Sequence, residues 1–416
     1  MAIATAAAPS PAPTRECRAL RIAVVTPELH RTGGTERATA ELLSALAREH
    51  DVCLYSNRWT NEEGVRVCHH PVPVLPGPGI TRHLNFFVAA SLAVWRGEHR
   101  HGAYDCVYSP GPNCSQVNVS TAHFCQARQR DLLRSGRFQP SPATWDDRFR
   151  GWHRSLYANC HTQLERRFYT SRRLEKVICP AEVMRRDLTE CYRTSPKRLA
   201  VAHSGVDAAT FNRDRRGELR EPARRELGLA AKDFCFLFVG TDWVRKCLLT
   251  VLDALRLVPG ALLYAVGPYD PSSWRRYAEL AGVAGRVRFP PRRADIVSYY
   301  AAADAVVAPS FYEPFGMVPL EAVACGVPVI ITRQMGVAEV LDEESAIVLD
   351  DPADSVALAE AMRRLMYEPE LRRRLARHGE LRARMSPWDG INQATLDAIR
   401  ETAEQRRASA AMGGGA

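Results

Sequence analysis

The densest set of groups able to do chemistry lies in Ser310-Phe311-Tyr312-Glu313-Pro314-Phe315-Gly316-Met317-Val318-Pro319-Leu320-Glu321. Glu313 and Glu321 have seven residues between them, and a Pro-Phe-Gly turn there opens a helix. Pro319 fits the first helical turn, where a missing donor costs little. The N–H groups of Phe315, Gly316 and Met317 then point at whatever stands before the helix, which makes an anion site supported by the helix dipole. Glu313 falls at the mouth of that site and Glu321 about one turn inside, so the two carboxylates can grip different hydroxyl-bearing parts of one ligand.

A second constellation is Gly240-Thr241-Asp242-Trp243-Val244-Arg245-Lys246. Here two adjacent cations meet the start of a helix. Charge-assisted hydrogen bonds from Arg245 and Lys246 suit a concentrated negative charge, such as a departing diphosphate. Gly33-Gly34, after the first strand, lets backbone approach a ligand closely. His123 follows a short apolar strand, and Arg128 stands five positions later. No acidic pair suited to a donor-bound metal stands out; Asp146-Asp147 and Asp350-Asp351 lie outside these segments.

These groups need elements to hold them. The chain repeats short apolar strand, polar loop, amphipathic helix. Strands are expected over 21–26, 52–57, 104–109, 116–121 and 176–180, with helices over 35–48, 82–96, 162–174 and 181–192. The rhythm lapses between Val206 and Lys232, apart from a helix around 222–229, and the domain boundary is placed there. Strands resume over 234–239, 261–266, 287–289, 305–308 and 327–331. Strands alternating with helices imply parallel sheets covered on both faces. The expectation is an α/β protein of two doubly wound lobes, with ligand in the crevice at the carboxyl ends of the strands. Residues 18–207 form the first lobe and 208–386 the second. A helix over 387–407 is free to cross back to the first, and 1–17 and 408–416 are expected to be a disordered leader and tail.

Composition bounds the rest. The 416 residues are 46% apolar and 25% charged, as in soluble globular proteins. No apolar run reaches the roughly 18–20 residues of a membrane span, and no signal peptide is read. The twelve cysteines are never closer than eight positions, so no CxxC-type zinc motif exists. They read as small buried apolar residues of a reducing compartment, which implies cytoplasm. The net charge of +9 is concentrated in residues 121–200, where seventeen Lys and Arg face eight Asp and Glu. That region, with the amphipathic stretch near Phe86, Phe87 and Trp95, suits peripheral contact with an anionic membrane.

The Glu313–Glu321 segment resembles the signature of the family-four retaining glycosyltransferases of the GT-B fold, and other matches follow in order along nearly the whole chain. Gly33 to Arg37 is similar to that family's glycine loop, Gly240 to Lys246 to its phosphate-binding loop, and His203 to Asp207 to the segment ending the first lobe. The adjacent Arg-Lys is shared with lipopolysaccharide core glucosyltransferases. Where the family often has Arg directly after the glycine, this chain has Thr241. The resemblance implies a GT-B fold and retaining, metal-independent transfer from a nucleoside diphosphate sugar, UDP-sugar favoured, to a hydroxyl of a glycan, glycolipid or natural product. It implies catalytic roles for His123, Glu313 and Lys246. Donor contacts are implied at Gly33, Gly34, Arg245, Lys246, Glu313, Phe315, Gly316, Met317 and Glu321; Arg128, from its place five positions after His123, is expected to reach the acceptor. No cofactor or metal is expected, and His203 is read as structural. Two rivals are weighed: another GT-B enzyme, such as a sugar-nucleotide epimerase or a phosphorylase, and a nucleic-acid-binding protein. The second lacks any zinc-finger or aromatic–basic signature, so no nucleic acid is expected.

Overall fold

The computed structural model describes residues 19–30, 34–60, 64–77, 79–136, 147–267, 270–291 and 295–413. The expected leader, 1–17, and Gly33 lie outside them. The first lobe contains β1 (Arg21–Val25), β2 (Glu28–Leu29), α1 (Gly34–Glu49), β3 (Asp51–Ser56), β4 (Arg58–Trp59), β5 (Cys68–Pro71) and α2 (Gly79–His101). It continues through β6 (Cys106–Ser109), β7 (Val119–Thr121), α3 (Gln126–Arg134), α4 (Asp147–Tyr169), β8 (Lys176–Cys179), α5 (Glu182–Tyr192) and β9 (Leu199–Val201). The second lobe contains α6 (Arg213–Glu226), β10 (Phe234–Val239), α7 (Leu248–Arg256), β11 (Ala261–Val266), α8 (Ser272–Leu280), β12 (Val287–Arg288), α9 (Val297–Ala302) and β13 (Ala305–Ala308). Then come α10 (Met317–Ala324), β14 (Val329–Thr332), β15 (Ile347–Leu349), α11 (Ser355–Tyr367), α12 (Pro369–Arg384) and α13 (Asp389–Gly413).

The strands form a parallel sheet in each lobe. The first has the order β5-β3-β1-β6-β7-β8-β9 and the second β12-β11-β10-β13-β14-β15; β2 and β4 pair separately. Alternation along each strand builds two cores per lobe. Ile22 and Val24 face Leu42 and Leu46 of α1, whereas Ala23 and Val25 face Phe86, Ala90 and Val94 of α2. Phe236 and Phe238 pack with α7 and α11, whereas Cys235 and Leu237 pack with Tyr300 and α10. These are the two doubly wound lobes expected.

The charged stretch read as a lapse contains a longer helix than expected. α6 starts nine residues earlier than 222–229 would suggest, is capped at Asn212, and holds Pro222 in its interior. Its apolar content is low because arginines do the packing. Arg216, Arg220 and Arg224, four apart, donate to the carbonyls of Ala301, Ala302 and Ala303 at the end of α9, and the last two also pair with Asp304. Carbonyls at a helix end lack intrahelical donors and attract cations. The segment therefore belongs to the second lobe.

α13 places Ile391, Leu396, Ile399 and Ala403 in the same core as Ile22 and Val24, so it lies on the first lobe. It continues past residue 407 to Gly413, because Ala408, Ala410 and Ala411 are strong helix formers. Its approach brings Pro387 against Val206 as an isolated bridge. A Cβ on Gly205 would lie 1.9 Å from the Pro387 carbonyl oxygen, so only glycine fits where the two interlobe crossings touch. A further tie is Glu339, whose carboxylate accepts from the N–H groups of Glu182 and Val183 at 2.7 and 2.9 Å, capping α5 of the opposite lobe.

Sheet order also fixes where a ligand can sit. In the first sheet the winding reverses between β1 and β6, and in the second between β10 and β13. Loops on either side of such a switch point diverge and leave a crevice at the strands' carboxyl ends.

Candidate active site

That crevice is a cleft of about 670 Å³ between the lobes, within the several-hundred-Å³ range of small-molecule sites. It gathers the start of α1, the loop after β7, the loops after β10 and β13, and part of α13, through residues that include Arg37, His123, Lys246, Glu313, Glu321 and Trp388.

Glu313 organises the second-lobe side. Its Oε2 accepts from Arg245 Nη1 at 2.8 Å and from Lys246 Nζ at 2.7 Å. The three side chains are largely buried. Burial alone would push the Glu313 carboxyl up, but Lys246 and Arg245 outweigh it and hold the pKa at about 2. Arg245 is fixed further by the Tyr312 carbonyl at 2.7 Å and by Phe124, whose ring centre lies 5.7 Å from the guanidinium carbon. The loop bearing His123 thus touches the cation pair from the opposite lobe.

Directly after Glu313 the chain turns at Gly316, whose φ of 106° favours glycine, and enters α10. No side chain caps this helix start, and the first N–H groups of any α-helix lack intrahelical partners. Phe315, Gly316, Met317 and Val318 all line the cleft. A positive helix end and two cations therefore surround one carboxylate, an arrangement suited to an anionic ligand with hydroxyl groups beside it. Backbone bonds from Gly336 to the Glu313 carbonyl (3.0 Å) and from Val337 to that of Phe315 (2.7 Å) clamp the turn.

Glu321 faces the same cleft and accepts from Tyr300 Oη at 2.7 Å. Burial raises its pKa, and the tyrosine hydrogen bond offsets this only in part. His123 lines the cleft, and burial lowers its pKa to about 4, so the ring is neutral near pH 7. Thr241 lines the cleft without joining the cation pair.

The remaining expected residues fall differently. Arg128 is not brought to the cleft: its guanidinium is tied to Asp187 at 2.6 Å and to Glu190, both on α5. As the third residue of α3 it faces that helix. Gly33 lies outside the described residues, while Gly34 begins α1. His203 bonds Glu339 at 3.0 Å, which agrees with a structural part. The sequence reading also missed cleft residues. Arg37 pairs with Asp207 and lies 5.0 Å from the Trp388 ring centre. Trp388, just before α13, and Asn392 and Thr395 of that helix line the cleft. Arg37 stands in the quoted glycine-loop segment, but nothing in sequence alone showed where α13 would lie.

Residues 32–210 match the family described as Glycosyltransferase Family 4, and residues 220–382 match Glycosyl transferases group 1. A D-inositol 3-phosphate glycosyltransferase of Thermomonospora curvata is 37% identical over 238 residues, covering 52% of this chain and 53% of that protein. The lipopolysaccharide glucosyltransferase WaaG of Escherichia coli is 28% identical over 218 residues, 51% of this chain and 58% of that protein. The chain thus spans little more than half the length of these relatives. Among solved structures, that of WaaG, a glycosyltransferase involved in lipopolysaccharide biosynthesis, superposes with a TM-score of 0.73 at 22% identity, over 90% of this chain and 98% of the other. Anabaena Alr3699/HepE in complex with UDP-glucose superposes with a TM-score of 0.69 at 17% identity, over 92% and 100%.

Proposed function

The chain belongs to the GT-B glycosyltransferases that join a family 4 domain to a group 1 domain, and we propose that it moves a sugar from a UDP-sugar to an acceptor hydroxyl, with retention of anomeric configuration and without a metal. The observation that carries this reading is Glu313 holding Arg245 and Lys246 at the open start of α10.

In this reading the diphosphate lies between the α10 N–H groups and the two cations. They stabilise the charge that grows as the bond from the sugar's anomeric carbon to the phosphate oxygen breaks. The acceptor oxygen attacks the same face, and its proton passes to the departing phosphate oxygen. Glu313 positions the sugar hydroxyls and opposes the positive charge at the anomeric carbon. A nucleophilic part suits it poorly, because one of its oxygens is already engaged by two cations. Glu321 holds the ribose, and neutral His123 faces the reacting end of the donor. UDP is favoured because a similar fold holds UDP-glucose. The acceptor is a hydroxyl of a glycan, glycolipid or natural product. Peripheral contact with an anionic membrane at the cytoplasmic face is part of the same reading. Among the described residues, no helix is long and apolar enough to cross a membrane.

The test is incubation with UDP-glucose and candidate acceptors in excess chelator, followed by release of UDP and the anomeric coupling of the product in proton NMR. UDP release with an unchanged configuration is expected. Turnover that stops with chelator and returns with Mg²⁺ or Mn²⁺ overturns metal independence, and an inverted product overturns retention. Donor conversion without free UDP favours an epimerase.

A further inference from the structure

At the outer edge of the first-lobe sheet, far in sequence from the cleft loops, β3 and β5 run parallel with Cys53 opposite Cys68 and Tyr55 opposite His70. Side chains two apart on a strand share a face. Cys53, Tyr55, Cys68 and His70 therefore form one patch on the face that α2 covers. Tyr55 Oη bonds Tyr104 Oη at 2.7 Å, and its ring stacks on His70 with centres 4.7 Å apart and planes 14° from parallel. That stacking fixes the imidazole beside the thiols, and Cys68 Sγ lies 3.3 Å from His70 Nε2. Both sulfurs and an imidazole nitrogen lie within 4.8 Å of one another. Zinc bonds of about 2.3 Å to sulfur and about 2.0–2.1 Å to nitrogen place tetrahedral ligands roughly 3.5–3.8 Å apart. Side-chain rotation of about an ångström closes the difference.

We propose that Cys53, Cys68 and His70 form a zinc site that staples the edge strand β5 to β3. Two thiolates and an imidazole are a donor set that favours zinc over magnesium or calcium. Binding converts both thiols to thiolates and releases their protons to solvent. Cys68 is exposed and Cys53 and His70 half-buried, so the fourth position opens to water. The strand gains most from such a clamp, because it is four residues long and pairs on one side only. The site is separate from the donor cleft and takes no part in transfer.

The probe is Co²⁺, then Zn²⁺, added to the full chain after reduction and stripping with chelator. One equivalent of cobalt is expected to give thiolate-to-cobalt charge-transfer bands and intense tetrahedral d–d absorption, both erased by zinc. Cys68→Ser and His70→Asn should each weaken binding by at least roughly 100-fold, since even outer-shell changes cost 10–100-fold. Cys160→Ser should bind as the parent does. Circular dichroism in chelator checks that each variant is folded, and having two exposed-edge variants keeps the test decisive if one fails to fold. Zinc should also raise the thermal midpoint of the parent but not of the variants. Absent thiolate bands, or equal binding by the parent and both variants, overturns the proposal.

Discussion

Glu313 and Glu321 face one cleft but keep different company, and they should fail differently. Glu313 is bonded to the two cations, whereas Glu321 is paired with Tyr300 deeper along α10. Glu313→Gln should lower turnover while leaving affinity for bare UDP nearly unchanged. Glu321→Gln should mainly weaken UDP itself. Calorimetry with UDP beside steady-state kinetics separates the two, and the opposite pattern reverses the assigned parts. Lys246→Ala should cost about 3–4 kcal/mol in the transition state, or two or more decades in turnover. A variant within threefold of the parent would make Lys246 an ordinary buried cation. His123 adds a pH signature. Its folded pKa of about 4 lies below the ordinary 6.5. Between these values the unfolded chain binds a proton that the folded chain refuses. This contribution to stability is complete above pH 6.5 and is lost as pH falls towards 4. His83 is lowered to about 4 in the same way, so the useful quantity is a difference. The parent should lose roughly 1–3 kcal/mol more than His123→Asn across this window in urea unfolding, allowing for screening in an open cleft. Equal slopes would show that His123 is not protected from protonation.

At the scale of elements, the α10 turn offers a direct test. A Cβ on Gly316 would meet Met335 Cε at 2.9 Å and Glu313 Cγ at 3.3 Å, and the residue is left-handed. Gly316→Ala should cost about 1–2 kcal/mol from the backbone alone and should displace Glu313. Activity should therefore fall by more than stability; equal losses would show that the turn only supports the fold. Much of this architecture was legible in the sequence. β10, β11 and β13 are apolar runs buried on both faces, so their ends coincide with the hydrophobic pattern. β5, β9 and β15 are short or polar and carry no such signal. α6 was obscured because arginines, rather than leucines, attach it to α9. Arg128 was placed by its distance along the chain from His123, which does not tell which way α3 turns it. The Cys53–Cys68 pairing escaped motif reading because strand register, not sequence spacing, brings the two thiols together.

At the scale of the whole molecule, the proposed membrane contact would use the outer surface of the first lobe. Phe86, expected on an amphipathic membrane face, is buried at 1% exposure in the core beneath α2. The outward stripe of that helix is instead Leu84, Val88, Leu92 and Trp95, each at least 40% exposed. These positions recur every three or four residues and so share one side of the helix. Exposed Arg82, Arg96 and Arg100 lie along the same helix. The basic stretch 121–200 contributes less free charge than its composition suggests, since Arg128, Arg130 and Arg185 are paired with acids. Apolar insertion by α2 should therefore provide most of the attachment, with charge selecting anionic lipid. The parent should sediment with anionic vesicles, less so as salt rises, and weakly with neutral ones. Val88→Asp combined with Leu92→Asp should abolish sedimentation and leave turnover on a soluble acceptor unchanged, because neither residue touches the cleft. Equal sedimentation with neutral and anionic vesicles would remove the electrostatic part, and a double variant that still binds would move the contact away from α2.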